Sequence, residues 1–198
     1  MLRKRIFLAI PLDPAEPVAE RMKQLQQLLG EYRIKWIRAE NFHLTLYFFG
    51  EIPVQQIPQL KRVLRLAVRN SPVFTLSLTG PGIFRKGKEP RVLYLGCKVN
   101  DLLFEIKKEV DKAVSSLDFS TENKLFRPHV TLGRFVQRQE SSPLLEDVLQ
   151  EPRFSEPLTC EISRLILYES ILLPSGPWYQ PVKIFPLIRI NENNVNHT

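Results

Sequence analysis

Two of the chain's three histidines stand two positions before a threonine, in the motifs His43-Leu44-Thr45-Leu46 and His129-Val130-Thr131-Leu132. Two imidazoles can move protons in both directions, because a neutral ring takes a proton from an attacking water while a protonated ring gives one to the departing oxygen. A threonine hydroxyl donates a hydrogen bond to a non-bridging phosphate oxygen. The motifs therefore predict phosphoryl transfer without a metal or other cofactor. His43 and His129 would be the acid–base pair, and Thr45 and Thr131 would contact the phosphate.

Other catalytic chemistries need residue spacings that the sequence lacks. A catalytic zinc takes three protein ligands, and neither HExxH nor HxH occurs. A G-x-S-x-G serine is also absent. Cys97 and Cys160 lie in apolar runs, which is typical of buried reduced thiols in a cytosolic protein. One H-x-T motif alone would indicate a structural histidine, but two complete copies favour one shared site.

Each motif lies in a segment typical of a β-strand, residues 42–49 and 128–135, rich in aromatic and β-branched residues and next to turn formers. Side chains alternate across a strand, so the histidine and threonine of each motif share one face while the apolar residues point to the other. The two histidines are 86 positions apart. This repeat suggests a duplication, or two similar lobes that face each other.

The remaining periodicities predict one α+β domain over residues 1–190, with two lobes and a polar tail at 191–198 that we expect to fray. The predicted helices are near 13–32, 54–69, 101–117 and 143–150, and the other strands near 5–12, 34–37, 74–79, 91–99, 159–170 and 178–188. Basic residues on helix 54–69 could meet a phosphate backbone or form an ordinary solvated face. The Gly/Pro-rich segment 80–91 carries four basic residues and is predicted to be a loop at the binding rim.

The overall charge is compatible with an anionic partner. The 198-residue chain has a net charge of +7 and a pI near 9.5, which favours nucleic acid or simply solubility. The basic start followed by apolar residues 6–12 resembles a signal peptide, but Pro11 interrupts it and no cleavage site follows. No run approaches the ~20 apolar residues of a membrane span. We therefore expect a cytoplasmic monomer that does not enter a membrane.

The twin H-x-T-L motifs resemble those of the 2H phosphoesterase superfamily. Over about residues 3–190 the chain is similar to its RNA 2′,3′-cyclic phosphodiesterase branch, the LigT-like or 2′-5′ RNA ligase family. Besides the motifs, the agreement includes residues 5–10, Trp36, 41–46, 48–50, 127–134, 167–170 and Tyr179. As a set these segments are specific, although each is short.

The resemblance implies a bilobal, pseudo-two-fold fold of two antiparallel sheets that face a central cleft, with helices outside. It implies metal-independent opening of a 2′,3′-cyclic phosphate on an RNA end or nucleotide, which leaves a 2′-phosphate. In the family the first motif's histidine is the acid, so His43 would donate a proton to O3′ and His129 would accept one from water. The reverse reaction would join a cyclic-phosphate end to a 5′-hydroxyl end through a 2′-5′ linkage.

The resemblance also implies substrate contacts five positions after each histidine, at Phe48 and Arg134. Strict strand alternation would turn both side chains away from the cleft, and Tyr47 would then be the better stacking residue. A bulge or strand end near Gly50 and Gly133 would return Phe48 and Arg134 to it.

Two further functional hypotheses remain open from the sequence. The first is a non-catalytic RNA-end-binding module that uses the cleft and the basic loop at 85–91. The second keeps the chemistry but takes another small cyclic nucleotide or 2′-phosphoester as its substrate.

Overall fold

Strands dominate the fold, and the helices lie between them in the sequence. The computed structural model describes residues 2–115, 117, 125–136, 143–174 and 176–189. In chain order the elements are β1 (Arg3–Pro11), α1 (Glu16–Leu28), β2 (Ile34–Trp36), β3 (His43–Pro53), α2 (Ile57–Val68), β4 (Phe74–Lys86), β5 (Glu89–Cys97), α3 (Asp101–Ser115), β6 (His129–Phe135), α4 (Pro143–Leu149), β7 (Leu158–Ile162), β8 (Arg164–Leu173) and β9 (Gly176–Pro186). The predicted N-terminal strand is confirmed, with residues 6–10 buried.

The strands pair antiparallel in the order β7-β4-β5-β6-β3-β1-β8-β9, with β2 added beside β6. Between β3 and β6 the pairing is limited to Leu44 opposite Val130. This junction divides the sheet into a first lobe (β3, β1, β8, β9) and a second lobe (β7, β4, β5, β6, β2). The predicted α+β fold with two antiparallel sheets is confirmed, and the two sheets join at this pair.

The lobes do not correspond to the two halves of the sequence. The first lobe contains strands from the beginning and the end of the chain, and β4 to β7 of the second lobe come from the middle. The chain passes between lobes at Ser163, because β7 pairs with β4 and β8 pairs with β1. The predicted single strand 159–170 is therefore two strands in different lobes.

The core lies on one face of the strands and beneath the helices. Leu44, Leu46, Val130 and Leu132 are buried, which leaves the histidines and threonines of the motifs on the opposite face. Each buried leucine contributes roughly 1.5–3 kcal/mol relative to an exposed one. The helices add apolar stripes at helical spacing, for example Ile57, Leu60, Leu64 and Val68 on α2. Helices α2 and α3 pack on each other, α2 contacts β9 and α3 contacts β3.

Segment 80–91 is a β-hairpin, so the prediction of a basic loop at the binding rim is wrong. Strand β4 continues to Lys86, and β5 begins at Glu89. The turn contains Gly87 at φ 61°, a conformation that suits glycine. Arg85 forms a 2.6 Å ion pair with Glu146 of α4.

None of the helices in the described part of the chain has the length and apolar character needed to cross a membrane. The predicted tail at 191–198 lies outside the described residues.

Candidate active site

A cavity of about 350 Å³ lies where the two lobes meet. It is lined by Arg5, Phe7, Lys35, Trp36, Ile37, Arg38, Asn41, His43, Thr45, Phe48, His129, Thr131, Arg134, Ser170, Gly176, Pro177 and Tyr179. All six site residues predicted above are among them. The basic residues of α2 do not line this cavity, which favours a solvated helix face for them.

His43 is the first residue of β3, and its ring is positioned by a hydrogen bond and by two aromatic contacts. Its Nδ1 lies 2.7 Å from the backbone oxygen of Asn41. Because a carbonyl only accepts, Nδ1 carries the hydrogen and Nε2 remains available. The ring packs against Phe7 at 5.1 Å and edge-on against Tyr179 at 5.2 Å between centroids. These contacts fix the ring and its tautomer.

His129 is the first residue of β6 and has an equivalent environment built from different residues. Its Nδ1 lies 2.7 Å from the backbone oxygen of Arg127. Its ring packs edge-on against Phe84 at 4.7 Å and against Tyr94 at 5.5 Å between centroids. Nε2 is again the nitrogen available for proton exchange. The cavity is therefore lined by two imidazoles in the same tautomer, one from each lobe.

Burial is the main influence on both histidines. Desolvation lowers the pKa of His43 and of His129, and in each case the hydrogen bond to a backbone carbonyl opposes this effect. The positive charge of Arg134 lowers both pKa values further, and charge on His129 also lowers the pKa of His43. Without a bound anion, the site favours neutral imidazole.

The junction between the lobes sets the neighbours of each histidine. Leu44 and Val130 are the middle residues of the two H-x-T motifs, and they pair antiparallel. Continuing this register, His43 comes opposite Thr131 and Thr45 opposite His129. The local two-fold symmetry of this antiparallel pair would therefore relate the two His–Thr sets on the cleft face.

A bulge follows each motif and turns the next polar or aromatic side chain to the cavity. On β3, Thr45 is opposite Ala9 and Tyr47 is opposite Leu8, so Leu46 is an extra residue. On β6, Thr131 and Gly133 are opposite consecutive residues of β5, so Leu132 is extra. The extra residue reverses the alternation. Phe48 and Arg134 therefore line the same cavity as the histidines. The bulge that turns Arg134 is next to Gly133, as the bulge alternative predicts, whereas the one that turns Phe48 is at Leu46 and not at Gly50.

Tyr47 does not line this cavity, because the bulge at Leu46 interrupts the regular alternation that would turn it there. Its ring packs on Phe49 with 4.6 Å between centroids. Phe48, and not Tyr47, lines the cavity with the histidines. The guanidinium carbon of Arg5 lies over the Phe48 ring, 5.0 Å from its centroid.

The full sequence matches the 2′-5′ RNA ligase superfamily over residues 7–171. The chain belongs to this superfamily. A relative named RNA 2′,3′-cyclic phosphodiesterase from Thermotoga maritima is 33% identical over 178 residues, which is 89% of this chain and 91% of that protein. One of the same name from Methanocaldococcus jannaschii is 32% identical over 179 residues, 90% of this chain and 98% of its own. The resemblance drawn from the twin motifs is confirmed.

Solved structures show the same superfamily fold. The crystal structure of TT0787 from Thermus thermophilus has a TM-score of 0.74 at 25% identity and covers 92% of this chain and 97% of its own. E. coli LigT complexed with 3′-AMP has a TM-score of 0.70 at 24% identity, with 95% and 100% covered.

The sequence alone did not indicate a role for several residues that line the cavity. Arg5 and Phe7 belong to β1, where residues 6–10 form a continuous buried apolar run, so no alternation in the sequence marks the face that reaches the cavity. Lys35 of β2 and Arg38, two residues after β2 ends, add positive charge to the wall. Tyr179 belongs to β9, opposite Ser170 of β8. Their convergence depends on strand order, which the sequence pattern does not specify.

In the described ranges, no group of three or more His, Cys, Asp or Glu side chains is arranged to hold a metal ion.

Proposed function

We propose that this protein is an RNA 2′,3′-cyclic phosphodiesterase that opens the cyclic phosphate of an RNA end or nucleotide by two-histidine acid–base catalysis. The observation that carries the proposal is the pair of oriented imidazoles on the wall of one cavity. Both Nδ1 atoms donate to backbone carbonyls at 2.7 Å, so both Nε2 atoms remain for proton exchange. The names of the relatives support the substrate class.

In the proposed reaction, His129 takes a proton from water as the water oxygen forms its bond to phosphorus. The bond from phosphorus to O3′ breaks in line, and His43 gives its proton to O3′. The products are a 3′-hydroxyl and a 2′-phosphate, and proton exchange with solvent restores the starting state. Thr45 and Thr131 would donate hydrogen bonds to the non-bridging oxygens, which carry the developing charge.

The remaining cavity residues would bind the rest of the substrate. Arg134 would supply positive charge beside the phosphate, and the same charge lowers the pKa of both histidines. Phe48, with Arg5 over its ring at 5.0 Å, would stack on the nucleobase.

The principal test uses a nucleoside 2′,3′-cyclic phosphate in EDTA, with the product identified by chromatography against 2′- and 3′-phosphate standards. We expect a 2′-phosphate from the wild type, and a loss of about 10²–10⁴-fold in kcat for His43→Ala and for His129→Ala. His43→Ala with unchanged turnover would contradict the proposal, as would loss of wild-type activity in EDTA. Comparing this mononucleotide with an RNA oligomer would separate an RNA enzyme from one for small cyclic nucleotides.

The order of acid and base follows from the family resemblance, and the unliganded electrostatics oppose it. Burial and the charges of His129 and Arg134 lower the pKa of His43, so the free protein disfavours a proton on this ring. The proposed order requires binding of the anionic phosphate to bring a proton onto His43.

A substrate with sulfur in place of O3′ tests the order, because a departing thiolate needs no general acid. We expect this substrate to restore turnover to His43→Ala and not to His129→Ala. Restoration of His129→Ala instead would reverse the two roles.

We further propose that the same site joins RNA ends when a 5′-hydroxyl replaces water as the nucleophile. Incubation of a cyclic-phosphate end with a 5′-hydroxyl end should give a product with a 2′-5′ linkage. The absence of such a product at high end concentrations would limit the enzyme to hydrolysis.

A further inference from the structure

A second cavity, of about 220 Å³, opens beside the proposed active site. Thr45, Phe48 and His129 line both cavities. A molecule in the second cavity would therefore lie next to a phosphate bound between the histidines. His43 does not line the second cavity, so the two cavities meet on the His129 side.

The far wall of the second cavity combines positive charge with aromatic surface. Lys107 of α3 has its ammonium nitrogen 5.4 Å from the ring centroid of Phe126 and 5.4 Å from that of Tyr47. The same ammonium forms an ion pair with Asp111, one turn further along α3. Arg127 lines the same wall, and its backbone oxygen accepts the hydrogen bond from His129.

The charges of this cavity favour an anionic ligand. Lys107 and Arg127 are cationic, and none of the described lining residues is acidic. Asp111, which is outside the lining, offsets part of the charge of Lys107. Phosphate with a stacked base is the ligand chemistry that cations and aromatic rings bind together in single-stranded nucleic acid.

We propose that the second cavity is a subsite for a second ribonucleotide, with its phosphate near Lys107 and Arg127 and its base against Phe126. This inference rests on the proposed function, because it needs the reacting phosphate between the histidines. The nucleotide has two sources of the same chemistry: the penultimate residue of the strand that ends in the cyclic phosphate, or the 5′-hydroxyl end of an acceptor strand. In the second case O5′ bonds to phosphorus, the P–O3′ bond breaks, O5′ loses its proton to His129, and His43 protonates O3′.

The test compares Lys107→Gln and Arg127→Gln with Lys108→Gln, which removes the same charge from the next position of α3, outside the cavity. Each variant is assayed with a nucleoside 2′,3′-cyclic phosphate, with a dinucleotide that ends in the cyclic phosphate, and in the joining reaction. A penultimate nucleotide predicts a loss of about tenfold in kcat/KM for the dinucleotide in the first two variants, and less than about twofold for the mononucleotide. An acceptor end predicts a similar loss in joining only. Lys108→Gln should match the wild type in all assays.

Equal losses for the mononucleotide and the longer substrates would overturn the subsite, because the variants would then act on the active site itself. Unchanged rates in all assays would overturn it too. Failure of the proposed function is distinct, since it appears as absence of mononucleotide turnover in the wild type. In that event, the affinity for a labelled dinucleotide 2′-phosphate decides: an approximately tenfold weakening in Lys107→Gln and Arg127→Gln supports the subsite, and equal affinity overturns it.

Discussion

Gly82 of β4 is next to Tyr94, which contacts His129, although Gly82 itself does not line the proposed active-site cavity. A Cβ added at Gly82 would come within 2.6 Å of Cζ and 2.8 Å of Cε2 of Tyr94. The Tyr94 ring is stacked on Phe84 at 4.2 Å and packs against His129 at 5.5 Å between centroids. The substitution Gly82→Ala must therefore displace the Tyr94 ring, and the support of His129 changes with it.

The size of the expected effect of Gly82→Ala can be estimated from the contacts that the added methyl group would disturb. Introducing a methyl group into a packed site costs roughly 1–3 kcal/mol of unfolding free energy. Loss of two aromatic contacts, at about 0.5–1.5 kcal/mol each, gives a similar range. If His129 acts as proposed, its displacement also slows catalysis, and we expect a decrease of about 10–100-fold in kcat for a cyclic mononucleotide.

A double-mutant cycle tests this reasoning. In a Tyr94→Ala background the methyl group of Gly82→Ala has no ring to meet, so its additional effect on urea unfolding and on kcat should be small. Gly30→Ala is the matched control, because its added Cβ would have its nearest neighbours at 4.0 Å. Additive effects of the Gly82 and Tyr94 substitutions would refute the proposed contact path, and so would wild-type kcat in Gly82→Ala.

Three further predictions concern charge. Burial lowers the pKa of His43 from 6.5, so below this pH the unfolded chain binds more protons than the folded protein. The free energy of unfolding should therefore fall as the pH drops through about 6.5. The substitution His43→Asn should reduce this pH dependence, measured by urea unfolding at about pH 5 and 7.5. Arg134→Gln should raise both histidine pKa values and move the acidic limb of the kcat/KM profile to higher pH, whereas Lys86→Gln should not. Arg21→Ala should lower the free energy of unfolding in urea by about 2–4 kcal/mol, because two backbone carbonyls that the Arg21 guanidinium contacts at 3.2 Å lose their hydrogen-bond donor. As a control, Arg62→Ala at an exposed position should change it by less than about 0.5 kcal/mol.

Local periodicity was sufficient to predict most elements, since one buried face per strand leaves a clear pattern. It failed where tertiary contacts decide. Gly80, Pro81 and Gly82 indicate a loop by composition, yet they lie within β4. Strand β7 pairs with β4 only as far as Leu78, so the missing N–H of Pro81 interrupts no pairing with β7. The two glycines make room for Phe154 and Tyr94.

The cavity around the motifs was predictable only in part for a similar reason. Alternation identifies the face that His43 and Thr45 share, but the bulge at Leu46 depends on how β3 pairs with β1. A bulge has no periodic signature, and the odd spacing to Phe48 conflicts with alternation. The second cavity could not be predicted from the sequence pattern, because it forms only where α3 packs beside β3.

The single residue between histidine and threonine has a structural reason in the junction of the lobes. When the middle residues of two H-x-T motifs pair antiparallel, as Leu44 and Val130 do, the histidine of each motif comes opposite the threonine of the other. With two residues between histidine and threonine, the threonine would lie on the buried face. With three, it would lie on the cleft face but two positions further along the strand, away from the histidine of the other motif. The same pair places both buried residues in the core, so the interaction that joins the lobes also sets the spacing of the catalytic groups proposed here. Because the described residues of β3 and β6 pair at this point alone, the lobes can diverge on either side of it, which leaves room for a phosphate between the rings.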